Sequence, residues 1–211
     1  MVVAFIVTTP TVAILDYGSG NLRSAERALL RAGAAVEVTS DRATCVAANG
    51  LVVPGVGAFA SCMDGIVAVG GDRAIARRVR DAAPILGICV GAQVLFESGR
   101  EHGQTTPGLG VFEGVVERLR ADRVPHMGWN TVAAPTDLTL FDGVDPDARF
   151  YFVHSYAATG PVPGATVATC DHGGRFIAAI NRGAVSATQF HPEKSADAGA
   201  AVLRNWVRSL R

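Results

Sequence analysis

The chain has no C-x-x-C pair: its four cysteines, Cys45, Cys62, Cys89 and Cys170, lie far apart. That excludes a paired-thiol zinc site and a disulfide framework, and it fits a reducing compartment. Neither charge is in excess, with 19 basic and 19 acidic side chains, and there is no basic run, which argues against a dedicated nucleic-acid binder. Charged residues amount to only 18% against 49% hydrophobic, so a folded core is expected instead of disorder. No apolar run reaches the ~18 residues of a membrane span, and the apolar start, Met1 to Pro10, lacks the basic region of a signal peptide. These absences point to a soluble, cytoplasmic protein. Linkers, repeats and low-complexity stretches are also missing. Residues 1–10 read as a short extension and residues 11–211 as one domain.

What is present alternates between strand and helix. Val12 to Asp16 is a short apolar strand, and a turn at Tyr17-Gly18-Ser19-Gly20-Asn21 leads into helical Leu22 to Ala32, with Asn21 placed to cap it. Gly18-Ser19-Gly20 lacks the third glycine of a dinucleotide fingerprint, since Arg23 stands there. Val36 to Thr39 and Leu51 to Val53 read as strands. Residues 61–83 read as helix interrupted at Gly70-Gly71, with basic residues of Ala74 to Ala82 on an exposed face. Gly99 to Gly108 reads as a polar loop. Beyond Val111 short strands follow, with a hairpin turn at His172-Gly173-Gly174, and Ser195 to Leu210 closes the chain as an amphipathic helix. The pattern predicts an α/β fold: a single doubly wound, mostly parallel sheet flanked by helices, with added antiparallel strands.

The richest stretch is Pro84 to Gln93. An apolar run leads into Cys89, with Gly87 and Gly91 two residues to either side and helix-compatible Ala92 to Glu97 beyond. G-x-C-x-G is the thiol counterpart of the G-x-S-x-G nucleophile elbow, and a following helix would favour a thiolate at its N-terminus. Most free cysteines are merely small buried hydrophobes, so partners are needed. Of the five histidines, His191 follows an apolar strand and precedes Pro192 and Glu193. In extended backbone residues two apart point the same way, so Glu193 could hold the His191 imidazole as a base for Cys89. After Val53, the turn Pro54-Gly55-Val56-Gly57 leaves backbone N–H groups free for an oxyanion.

These motifs resemble those of the class I glutamine amidotransferases: Gly87 to Gln93, His191-Pro192-Glu193-Lys194-Ser195 and the Pro54–Gly57 turn, in that order. The resemblance implies a Cys89–His191–Glu193 triad that hydrolyses the amide of L-glutamine, an oxyanion site at Gly55, Val56, Gly57 and Val90, and substrate contacts at Gln93, Glu101, Ser155 and Tyr156. No metal or cofactor is implied. Three further stretches, Asp16 to Ser24, Pro125 to Asn130 and Tyr151 to Tyr156, resemble the branch of that family formed by the glutaminase subunits of imidazole glycerol phosphate synthases. That branch implies a separate cyclase subunit with a (β/α)8 barrel as partner. His126, Met127, Trp129 and Asn130 would face it, with burial in the core as the alternative for Met127 and Trp129. Ala92 departs from the larger residue, usually methionine, of the family elbow. Glutaminases of other synthases, a silent regulatory subunit and a stand-alone thiol hydrolase are the competing readings.

Overall fold

The computed structural model describes residues 9–210. The expected extension therefore falls mostly outside the described residues, but Pro10 is buried and accepts a hydrogen bond from Ala35 N at 2.9 Å, so the sheet begins there.

Short β-branched and apolar runs form the central strands β1 (Thr11–Leu15), β2 (Ala35–Thr39), β3 (Gly50–Gly55) and β4 (Ile85–Cys89). β3 and β4 are buried along their whole length, as strands covered by helices on both faces must be. Late in the chain, β11 (Thr166–Asp171), β12 (Arg175–Arg182) and β13 (Val185–Thr188) complete a 7-stranded sheet of order β11-β12-β13-β4-β3-β1-β2. Pairings from β2 across to β13 are parallel, and β12 runs antiparallel to its neighbours. The expected mostly parallel sheet with added antiparallel strands is what forms. The added strands also build two small sheets: β10 (Tyr156–Ala158), β7 (Phe112–Arg118), β5 (Phe96–Glu101) and β6 (Gln104–Pro107), and the pair β8 (His126–Thr131) with β9 (Arg149–His154). Among the described residues no helix is long and apolar enough to cross a membrane.

Several local expectations need correction. Helix α1 (Leu22–Arg31) starts after Asn21, but the Asn21 side chain makes no cap; its carbonyl accepts from Ser24 and Ala25 instead. Helix α2 (Arg42–Ala47) lacks apolar periodicity and escapes the pattern, though Asp41 caps it through Thr44 N at 2.8 Å. Helices α3 (Phe59–Ala68) and α4 (Gly71–Arg80) break at Gly70-Gly71 as read. On α4, however, Arg78 is not on the exposed face. It is buried, and its guanidinium donates to the carbonyls of Cys45, Val46, Ala48, Asn49 and Pro84, closing the C-terminal end of α2. The supposed loop at 99–108 is the β5–β6 hairpin. Beyond Cys89 the helix is a single turn, α5 (Val90–Gln93), and Val94 and Leu95 plug the core before β5 begins. The closing helix α6 (Ala196–Arg208) buries Val202, Leu203, Trp206 and Val207 as its periodicity predicts.

Candidate active site

Cys89 ends β4 in a conformation that side chains rarely adopt, φ 56° and ψ −115°. Packing holds it there. A Cβ at Gly87 would meet Gly91 O at 2.8 Å and Ala92 Cα at 2.9 Å, and one at Gly91 would run into the carbonyl of Val53. The flanking glycines let the one-turn helix fold back onto β3 and β4, leaving the thiol at the C-terminal end of the parallel strands, where open α/β sheets place their ligand sites.

His191 follows β13, the strand beside β4. Its position is fixed from the backbone: His191 N donates to Tyr151 O at 3.0 Å, and Ser195 Oγ donates to His191 O at 2.6 Å while accepting from Tyr151 N. The side chains of His191 and Glu193 are 3% and 2% exposed, and Nδ1–H donates to Glu193 Oε1 at 2.8 Å. Burial opposes a charge on the imidazole, but hydrogen bonds and charge from Cys89 and Glu193 outweigh it and push its pKa up to about 9. A thiol, an imidazole held against it and a buried carboxylate behind the imidazole thus stand in line.

Cys89 and His191 open on a cavity of about 190 Å³, walled also by Val56, Gly57, Val90, Gln93, Glu101, Ser155 and Tyr156. Every residue that the motifs singled out for oxyanion or substrate contact lines this space, except Gly55, which lies beneath, paired with Cys89 across β3 and β4. Wider clefts elsewhere, such as one of about 520 Å³ between α2 and α4, carry neither thiol nor imidazole. Glu101 stands on β5, where Oε2 accepts from Phe59 N at 3.0 Å. The amide of Gln93 is partly spent inside the protein, donating to Tyr156 O at 2.7 Å and Gln189 Oε1 at 3.0 Å.

The arrangement sets a thiol and an imidazole, backed by a carboxylate, at a pocket of small-molecule size, a geometry that can support nucleophilic catalysis. The description "glutamine amidotransferase class-I" fits residues 13–210. The chain belongs to the class I glutamine amidotransferases. It is 59% identical to the imidazole glycerol phosphate synthase subunit HisH of Nocardia farcinica over 213 aligned residues, covering 97% of this chain and 100% of that protein. It is 56% identical to the subunit of the same name from Mycobacterium tuberculosis, again over 97% of this chain. Among solved structures, a glutamine amidotransferase crystal structure superposes with a TM-score of 0.74 at 22% identity, covering 94% of this chain and 97% of that one. The structure of PurLQS from Thermotoga maritima superposes with a TM-score of 0.75 at 18% identity, covering 97% and 100%. Both share the fold of this amidotransferase.

The stretch 126–130 divides in two. Strand β8 alternates, so Met127 and Trp129 point outward, 65% and 49% exposed, and the core alternative for them falls. His126, expected at the surface with them, is buried: it faces inward, stacks on Phe152 and His172, and pairs with His154 at 3.1 Å. Asn130 is half-buried against His126 and Asp171 O. His172, in the expected hairpin turn, is half-buried and bonded to Arg123 O at 2.7 Å. The motifs missed one residue altogether. Gln189 is 4% exposed, and its Nε2 donates to Cys89 Sγ at 3.8 Å. Glu193 reaches the imidazole from a 3-10 turn, Pro192–Lys194, and not from the extended backbone expected of it, so period-two alternation accounts neither for that pair nor for Gln189.

Proposed function

We propose that this chain is the glutaminase subunit of an imidazole glycerol phosphate synthase, acting in the cytoplasm, and that Cys89, His191 and Glu193 are its catalytic residues. Cys89 and His191 facing one cavity, with Glu193 bonded to the imidazole from behind, is the observation that carries the reading. Cys89 Sγ attacks the side-chain carbonyl carbon of L-glutamine. As the C–N bond breaks, His191 delivers the proton that lets ammonia leave, and a glutamyl thioester remains. Water activated by His191 then cleaves the thioester, releasing glutamate and restoring the thiol. Glu193 orients the imidazole and favours its charged form. Gln93, Glu101 and the backbone at Ser155 and Tyr156 hold the substrate's polar ends.

Ammonia passes to a separate (β/α)8-barrel cyclase subunit, which makes imidazole glycerol phosphate and AICAR from the phosphoribulosyl-formimino-AICAR nucleotide. The exposed pair Met127 and Trp129 suits an anchor on that partner, since a large aromatic and a methionine side by side are costly to leave in water. His126 serves this face from beneath, through its position on β8, and Asn130 flanks it.

The oxyanion turn is the point of control. Val56 N, a potential oxyanion donor, is occupied: it donates to Ser19 Oγ at 3.1 Å, and Ser19 Oγ in turn donates to Val56 O at 2.8 Å. Gly57, in open space, lets this peptide turn over cheaply, which would free an N–H to join that of Val90 around the oxyanion. The complex carrying Cys89→Ala tests the assignment. Glutamine-dependent cyclisation should vanish while ammonium salts still support the reaction; glutamine turnover surviving in that variant would remove Cys89 as nucleophile.

A further inference from the structure

One acceptor settles a whole network beneath the cavity. The Tyr156 carbonyl can only accept, and two side chains reach it: Gln93 Nε2 at 2.7 Å and His154 Nδ1 at 2.9 Å. Gln93 therefore presents its NH2 to Tyr156, and the same nitrogen lies 3.0 Å from Gln189. Gln189 must answer with its oxygen, which leaves its own NH2 facing Cys89 Sγ at 3.8 Å. On the other side His154 carries its proton on Nδ1, so His154 Nε2 accepts from His126 Nδ1 at 3.1 Å, and His126 Nε2 faces the Asn130 amide at 3.3 Å. Gln93, Gln189, His126 and His154 are all at least nine-tenths buried.

We propose that Gln189 is a further catalytic residue, a second hydrogen-bond donor to the Cys89 sulfur, and that Gln93 and the His154–His126 pair are positioning residues that hold its amide in that orientation. The inference rests on Cys89 being the nucleophile. Two donors then face the sulfur, the charged imidazole of His191 and the neutral amide of Gln189. A donor to sulfur stabilises the thiolate over the thiol, and it does so without a proton that the reaction could carry away. When the thioester forms, sulfur loses its charge and the amide bond weakens; when glutamate leaves, it is remade. Both histidines are kept neutral, His126 near 4 and His154 near 3, chiefly by burial, with neighbouring histidines adding to it, so the network keeps one polarity at working pH. The other ionisable groups around the sulfur are Tyr17 and Cys62 from beyond β1 and from α3, Glu101 from β5 across the cavity, and Glu193 behind His191.

The test is the pH dependence of iodoacetamide alkylation at the Cys89 peptide, followed by mass spectrometry in the complex with the cyclase. Gln189→Met, which fills the space without a donor, should raise the midpoint by about one pH unit, leaving about tenfold less thiolate at a given pH below it. Glutamine turnover should fall through kcat with KM little changed, while an unchanged thermal melt of the variant and its co-elution with the cyclase are the control for folding. Gln93→Met leaves Gln189 in place but frees its amide to turn; it should move the midpoint the same way by less and add nothing in the double variant. An unchanged midpoint in Gln189→Met overturns the proposal, and if that variant fails to fold, an unchanged midpoint in Gln93→Met does so. Glutamine turnover by Cys89→Ala would fail the nucleophile reading instead, whatever the Gln189 variants do.

Discussion

The elbow and the oxyanion turn lie side by side on β4 and β3, in register at Gly55 and Cys89, and both are built on glycine. They use it for opposite ends. At the elbow, Gly87 and Gly91 are there because nothing larger fits between two strands and a helical turn. At the turn, Gly57 has φ +87° and no atom within 4 Å of where a Cβ would sit, and Val56 is 42% exposed. The elbow pair makes a strained residue immovable; at the turn Gly55 is packed as tightly, since a Cβ there would run into Gly91 N, and it is Gly57 that leaves the peptide room to turn, restrained by the hydroxyl of Ser19. With the proposed roles, a site arranged this way keeps its nucleophile fixed and lets the oxyanion donor wait.

The contrast can be broken in several places. Gly91→Ala should have the largest effect, at least ~3 kcal/mol of lost stability from forcing a methyl into the Val53 carbonyl; a thermal melt or soluble yield close to wild type would refute the packing argument. Next comes pH. His126 and His154 have folded-state pKa values pushed down to about 4 and about 3, so the unfolded chain binds more protons from about pH 6.5 downward, and stability is lost as pH falls through that window. His191 is pushed up to about 9, so the folded chain keeps a proton that the unfolded chain gives up near pH 6.5, and stability falls as pH rises from there through 9. Urea midpoints across pH 3–10 should peak near 6.5; a flat profile would contradict both assignments. Gly57→Ala should cost about 1–2 kcal/mol, the strain of a left-handed alanine in open space, and a loss matching that of Gly91→Ala would erase the distinction. Smallest in stability is Ser19→Ala, about 1 kcal/mol for the lost hydrogen bonds. It should nonetheless raise glutamine hydrolysis by the chain alone severalfold, and an unchanged rate would mean that Ser19 does not restrain the turn.

How much of this was legible in the sequence depended on whether a side chain's direction followed from its neighbours. Cys89 between Gly87 and Gly91 carries its geometry locally, and so do the alternating strands; His191 and Glu193 meet as expected, but through a 3-10 turn at Pro192–Lys194 and not through extended backbone. The helix expected at Ala92 to Glu97 failed because the chain must leave α5 at once to begin β5, a demand of the sheet and not of those residues. Arg78 looked exposed beside Arg77 and Arg80, and only the distant carbonyls at the end of α2 explain its burial. His126 was grouped with Met127 and Trp129 as one surface motif, where period-two alternation along β8 would have turned it inward. Gln189 was passed over because an amide at a strand end carries no chemical signature until Gln93 and Tyr156 are seen beside it.

The central claim is that a finished nucleophile waits for its oxyanion donor. Glutamine hydrolysis by the chain alone, set against the same chain in complex with the cyclase subunit and its nucleotide substrate, tests it most directly. One restored oxyanion donor predicts stimulation on the order of 10²–10³ in kcat, with Cys89 alkylation little changed. Equal rates with and without the partner would contradict it.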